Sequence, residues 1–91
     1  MTDDLDNAIE LMEAVLSDSG VPRNIRKAVE DAKNKIECNR EKKEEISTAI
    51  SSAIYTMDDI SNDINMPAHA RTEIWSIISM LESVREKNKA D

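Results

Sequence analysis

The sequence predicts an all-α fold, an antiparallel four-helix bundle formed by a single domain over residues 1–91. Its composition is the first reason: one Gly, two Pro and no Phe accompany abundant Ala, Ile, Leu, Met, Glu and Lys, which favours helix over sheet. Four stretches with the 3.6-residue apolar period of a helix are the second, and an internal repeat is the third. Because a chain this short buries only about 60–65% of its unfolded surface, we expect a modest core and self-association as a way to bury more.

The chain repeats itself at an offset of 45 residues. The segment DSGVPRNIR at 18–26 aligns with DINMPAHAR at 63–71, which matches Asp with Asp, Pro with Pro and Arg with Arg. Apolar positions outside these segments match in the same register, as in the pairs Met12 with Met57 and Ile36 with Leu81. We interpret 1–45 and 46–91 as two helix–turn–helix units, with a period inside the roughly 40–47 residues of HEAT-type repeats.

Each unit contains two predicted helices, and the apolar period places all four in order. They are expected over about 3–17, 22–38, 43–62 and 67–86, with a flexible tail over 88–91. Pro22 and Pro67 each follow a turn and open the second helix of their unit, because proline suits the first helical position. The stretch ECNREKKEE between the second and third helices has no Gly or Pro. The break near Asn39 therefore rests on the repeat, and one continuous helix is the alternative.

Charge and composition exclude several classes of protein. A net charge of −7 argues against nucleic-acid binding, which requires a concentrated positive face. No apolar stretch approaches the roughly 18–20 residues of a membrane span, so we expect no membrane partner. Cys38 is the only cysteine, which rules out an intramolecular disulfide and a Cys-based zinc site. The acidic start MTDDLDNAIE is unlike a signal peptide, and we expect a cytoplasmic protein.

The paired motifs VPRNIR and NMPAHARTEIW resemble the signature of a small archaeal family, uncharacterised protein family 0147. The resemblance covers nearly the whole chain and implies an all-helical, four-helix fold. It implies no activity, substrate or catalytic residue. The chain is also similar to HEAT repeats in general form, although Asp and Arg there lie closer together in sequence.

The two repeated loops supply the main candidate site residues. Short connections place both loops at one end of the bundle. Acidic residues then lie at helix C-termini and arginines at helix N-termini, where the helix dipole disfavours each charge. We expect a structural pair across each turn, Asp18 with Arg26 around Pro22. The equivalent pair is Asp63 with Arg71 around Pro67. The alternative is an anion site at the same end, formed by Arg23, Asn24, Arg26, His69 and Arg71.

The fourth helix carries more apolar surface than one bundle face needs. Trp75 and Met80 lie beside its core stripe, so the helix is either central or in contact with a second subunit. Trp75 aligns with Glu30 of the first unit and breaks the internal symmetry. The candidate interface is Trp75, Ile78 and Met80, and a homodimer is one expected outcome.

The leading functional hypothesis is a non-catalytic helical module that binds a protein partner or a second copy of itself. The alternative is a protein that binds a small phosphate or carboxylate anion through the arginine-rich loop end. We expect no enzymatic activity and no cofactor, because no group of titratable residues occurs at the sequence spacing of a recognisable catalytic site. His69 and Glu73 are spaced i, i+4, but two ligands are too few for a structural metal site. Cys38 is expected to be inert.

Overall fold

A computed structural model describes residues 4–89 of the chain. Four helices account for most of it, α1 (Asp4–Leu16), α2 (Arg23–Cys38), α3 (Lys43–Ser61) and α4 (Ala68–Lys89). The predicted number and order of helices are confirmed. Residues 88 and 89, expected in a tail, belong to α4, and residues 90 and 91 lie outside the described part of the chain.

The break between α2 and α3 is confirmed, and the continuous-helix alternative is wrong. Asn39 ends α2 because its side-chain Nδ2 donates to the carbonyl of Lys35 at 2.8 Å. Its own carbonyl then accepts the N–H of Lys42 at 3.0 Å. A side chain that bonds to nearby main-chain groups offers the backbone an alternative to continuing the helix. Asparagine therefore provides the stop that Gly or Pro provides elsewhere.

The four helices form a closed ring. Helix α4 packs against α1 and α3, and α2 packs against α3 and α1, with the α1–α2 pair the least extensive of the four. Within residues 4–89, α1 and α3 lie on one diagonal and α2 and α4 on the other, with no helix packing across either diagonal. HEAT-type hairpins stack side by side in an open array instead. The bundle is therefore closed, and its hairpins do not pack as HEAT repeats do.

One continuous core fills the centre of this ring. All four helices and both repeated loops contribute buried apolar residues to it. The fully buried side chains that occupy the most volume are Met12, Ile25, Ile36, Ile50, Met57, Ile74, Ile77 and Leu81. Val21 and Met66, which precede the two prolines, are also buried and anchor the loops to the core. The hairpins therefore share a core, and neither has one of its own.

None of the helices between residues 4 and 89 is both long enough and apolar enough to cross a bilayer.

Candidate functional site

The two repeated loops adopt the same turn. Asp18 Oδ1 accepts the main-chain N–H of Gly20 at 2.9 Å, and Asp63 Oδ1 accepts that of Asn65 at 2.8 Å. A short acid that bonds to the backbone two residues ahead forms an Asx turn. Each aspartate therefore stabilises the turn of its own loop. This shared structural role explains why aspartate occurs at the equivalent position of both units.

The prolines have equivalent positions in the two units. The carbonyl of Pro22 accepts the N–H of Arg26 at 3.0 Å, and the carbonyl of Pro67 accepts that of Arg71 at 3.0 Å. These bonds start α2 and α4 immediately after the turn. Pro22 is the N-cap of α2, one residue before the first helical position at which it was expected. Its missing N–H costs nothing there, because the first N–H groups of a helix have no partner within the helix.

Arg71 holds the end of α3. Its Nε donates to the carbonyl of Ser61 at 3.0 Å and its Nη2 donates to the carbonyl of Asp63 at 3.1 Å. Both hydrogen bonds go to main-chain oxygens rather than to the Asp63 carboxylate, which is already engaged in its turn. The last carbonyl groups of a helix have no N–H partner within the helix. The guanidinium group of Arg71 supplies N–H donors to two main-chain carbonyls at this end of α3.

Arg26, the counterpart of Arg71 in the first unit, makes different side-chain contacts. Its Nε is buried and has no hydrogen-bond partner among the described residues. The pKa of Asp18 is lowered first by the main-chain N–H of Gly20 and then by the hydrogen bond from His69, and the positive charge of Arg26 adds a smaller contribution. The two arginines occupy equivalent positions, but only Arg71 is fixed by hydrogen bonds from its guanidinium.

Asp18 joins the two loops by bonding to His69. The Nε2 of His69 lies 2.6 Å from Asp18 Oδ2, across 51 residues of sequence. The N–H of Gly20 and the hydrogen bond from His69 lower the pKa of Asp18 below its usual range, whereas burial opposes them. The contact confirms that both loops lie at one end of the bundle. Sequence reasoning missed the pair, although the replacement of Asn24 by His69 in the aligned loops marked the place.

Replacing Asp18 with Asn is expected to lower stability near neutral pH and to have little effect near about pH 2. A carboxyl whose pKa is lowered by folding stabilises the protein above its unfolded pKa of about 3.9, and this contribution disappears as pH falls through the folded value. Urea unfolding of both proteins at several pH values measures the difference. Asp63→Asn is the control, because it retains the equivalent turn and has no histidine partner within residues 4–89. A constant difference between the D18N variant and the parent protein at all pH values would contradict this interpretation.

The five residues of the candidate anion site differ in the contacts they make. His69 is held by Asp18, and the Nε and Nη2 of Arg71 are occupied by carbonyls. Arg23 and Arg26 line a different feature, a cavity of about 410 Å³ on the outside of the α1–α2 hairpin. The remaining residues around that cavity are Leu16, Lys27 and Glu30. Asn24 is exposed and does not line this cavity.

The candidate interface residues lie on two different sides of α4. Ile78 lines a groove of about 360 Å³ between α3 and α4, together with Ser51, Ile54, Tyr55, Asp58, Glu82 and Arg85. Trp75 lies one turn before Ile78 and is 57% exposed. Met80 lies on the same side of α4 as Ser83 and Lys87, which are three and seven residues further along the helix. These two residues contact Asp4 of α1. Met80 therefore packs on the α1 side, and only Trp75 and Ile78 share the outer α3 side.

The remaining candidates do not form a constellation. Within residues 4–89, no group of three or more His, Cys, Asp or Glu residues could hold a metal ion. Cys38 is exposed at the end of α2. The Oε2 of Glu73 is buried and has no hydrogen-bond partner in the described structure.

The comparisons with known proteins agree on one family. The model of Uncharacterised protein family UPF0147 matches residues 1–84. A UPF0147 protein of Methanothermobacter thermautotrophicus is 46% identical over 77 residues, covering 85% of this chain and 72% of that protein. A second, from Methanocaldococcus jannaschii, is 45% identical over 75 residues, covering 82% and 77%.

Two solved structures also resemble this chain. One, a crystal structure of the unknown function protein MMP1188, has a TM-score of 0.75 at 42% identity and covers 88% of each chain. The other is a UPF0147 protein from Thermoplasma acidophilum, with a TM-score of 0.80 at 31% identity, covering 89% of this chain and 92% of that one. Neither the family nor these structures carry any indication of catalysis. The match over residues 1–84, with archaeal relatives of high identity, places this chain in the uncharacterised family UPF0147.

Proposed function

We propose that this chain is a non-catalytic interaction module that binds a second copy of itself through the outer side of α3 and α4. We call this surface the α3–α4 face and define it by Ile54, Tyr55, Trp75 and Ile78. The observation that carries the proposal is the exposure of two large aromatic side chains, 78% for Tyr55 and 57% for Trp75, which are the only aromatic residues of the chain.

The groove between these helices provides a place for apolar contact. Ile54 and Ile78 are half-buried and line it from opposite helices. Aromatic residues near apolar pockets are the side chains that contribute most to protein–protein binding. Association through this face would remove its exposed apolar area from water.

Charge complementarity favours a second copy as the occupant. Asp58 and Arg85 lie toward opposite ends of the groove, because α3 and α4 run antiparallel. A copy related by a two-fold axis across the groove brings Asp58 of each chain toward Arg85 of the other, at the end of the groove that also carries Glu82. A two-fold interface uses one patch on both subunits, and this patch carries both partners of the pair.

Light scattering over a range of concentrations tests the proposal, and we expect the mass of two chains. Trp75 is the only tryptophan, so its fluorescence should move to shorter wavelength as the dimer forms. Trp75→Ser is expected to weaken dimerisation by roughly tenfold or more, as for an interface hot spot. Ile64→Ser is the matched control, because Ile64 is 91% exposed in the loop after α3 and lies outside the α3–α4 face.

A charge exchange tests the orientation of the two copies. Asp58→Arg and Arg85→Asp are each expected to weaken the dimer, and the double variant D58R/R85D is expected to restore it, because it re-forms the pair with the signs reversed. Two outcomes contradict the proposal: a monomer at every accessible concentration, or equal weakening by the Trp75 and Ile64 variants.

A further inference from the structure

We propose that the cavity on the outside of the α1–α2 hairpin binds a small phosphate-bearing anion. We call it the cationic cavity, and its lining residues are Leu16, Arg23, Arg26, Lys27 and Glu30. Its volume of about 410 Å³ lies within the roughly 300–1,000 Å³ typical of small-molecule sites. The cavity is on a different hairpin from the α3–α4 face, so this inference is independent of self-association.

The cations of this cavity are concentrated in one short segment. Arg23, Arg26 and Lys27 fall within five consecutive residues of a chain whose net charge is −7. The first turn of α2 contains no acidic residue. Three positive charges so close together repel one another, and the dipole at the start of the helix adds to the cost. A bound anion would relieve both effects.

The cationic side chains of this cavity have few partners within the described structure. The side chain of Arg23 is exposed and makes no hydrogen bond or ion pair there, and the Nε of Arg26, although buried, has no hydrogen-bond partner. Lys27 has one contact, to Asp31 at 3.5 Å, and both side chains are more than 60% exposed. Exposed pairs of this kind contribute little to stability. Arg71, in the equivalent position of the second unit, has its Nε and Nη2 engaged instead by carbonyls.

The residue types point to a phosphoryl group on an organic molecule. Guanidinium groups bind phosphate through paired N–H donors, and a lysine adds a compact charge. Glu30 at the edge repels a second anionic group but can accept a hydrogen bond from a hydroxyl. Leu16 provides an apolar contact. The ligand class that fits is a phosphomonoester of a hydroxylated compound, in preference to a bare polyphosphate.

Amide NMR titration and calorimetry with the full chain test this site. The probes are inorganic phosphate, a ribose phosphate and ribose. Both phosphates are expected to compete for one saturable site and to shift the amides of residues 23–30, and ribose alone is not. Arg23→Gln and Lys27→Gln are each expected to weaken ribose phosphate binding roughly tenfold or more. Both side chains are exposed, so these variants should fold.

Lys35→Gln is the matched control. It removes the same charge from the same helix, but Lys35 lines the side of α2 that faces α3, and about twofold weakening or less is expected. Glu30→Ala removes both the negative charge and the hydrogen-bond acceptor, so it should strengthen binding of inorganic phosphate and weaken binding of ribose phosphate relative to it. The proposal is overturned if neither phosphate binds saturably, or if K35Q weakens binding as much as K27Q. Equal strengthening of both phosphates by E30A would overturn the assignment of a hydroxylated ligand.

Discussion

Replacing Met57 with Ala is expected to lower the free energy of unfolding by about 4 kcal/mol, near the upper end of values for buried methionine. Met57 is fully buried, and it belongs to α3, which packs against both α2 and α4. A cavity enclosed by well-packed helices cannot collapse, so the loss includes the missing contacts and the void itself. For a domain of this size the melting temperature should fall by roughly 15–30 °C.

The repeat provides a matched comparison for this variant. Met12 is the same residue type at the equivalent position of the first unit and is also fully buried. Its helix, α1, has a less extensive contact with α2 than α3 has with α4, so the walls of its cavity can relax further. We expect Met12→Ala to cost about 2–3 kcal/mol.

Urea unfolding followed by circular dichroism measures both values. The transitions should be single and cooperative, because the two hairpins share one core. Met80→Ala is the control and should cost about 1 kcal/mol or less, because Met80 is half-buried on the side of α4. An equal or larger cost for M12A would contradict the ranking, and two separate transitions would contradict the shared core.

The helices were predictable because burial in this chain follows helical geometry closely. Each apolar stripe in the sequence is a buried stripe in the bundle, and the turns at Pro22 and Pro67 have the hydrogen bonds that their residue types favour. The break after α2 was predicted from the repeat alone. Its local cause, the side chain of Asn39, has a strong preference for such positions.

The repeat could show that the hairpins are alike, but not how they pack together. An open stack and a closed ring both bury one face of each hairpin, and the sequence pattern is the same for both. The packing of α1 against α4 depends on how the entire surfaces of the two hairpins fit together. The bond between Asp18 and His69 also depends on how the side chains lie within the two loops, which the predicted placement of both loops at one end did not specify.

The position of Met80 could have been predicted from helical geometry. Met80 lies five positions after Trp75, and at 100° per residue this offset turns the two side chains about 140° apart. They therefore cannot belong to one narrow interface. The different contacts of Arg26 and Arg71 could not be predicted in this way. Every loop contains main-chain carbonyls that can accept from an arginine, and the residue types do not specify how those carbonyls are oriented.

Replacing Arg71 with Ala is expected to lower the free energy of unfolding by about 2–4 kcal/mol. Arg71 makes two hydrogen bonds from a charged group in a part-buried position, and such bonds contribute roughly 1.5–3 kcal/mol each before solvent access is considered. Its loss leaves the carbonyls of Ser61 and Asp63 without this partner. The end of α3 should then lose order first, which amide hydrogen exchange can detect.

Arg26→Ala is the matched variant in the first unit, and it should lower the free energy of unfolding by about 1 kcal/mol or less. The Nε of Arg26 has no hydrogen-bond partner in the described structure, so truncation removes a buried donor that is unsatisfied. Arg71→Lys distinguishes charge from geometry, since an ammonium group retains the charge but cannot reproduce the fork between two carbonyls. Most of the stability should therefore remain lost in R71K. Equal costs for R26A and R71A would show that both arginines hold their loops, and would remove the asymmetry that leaves Arg26 free to bind a ligand.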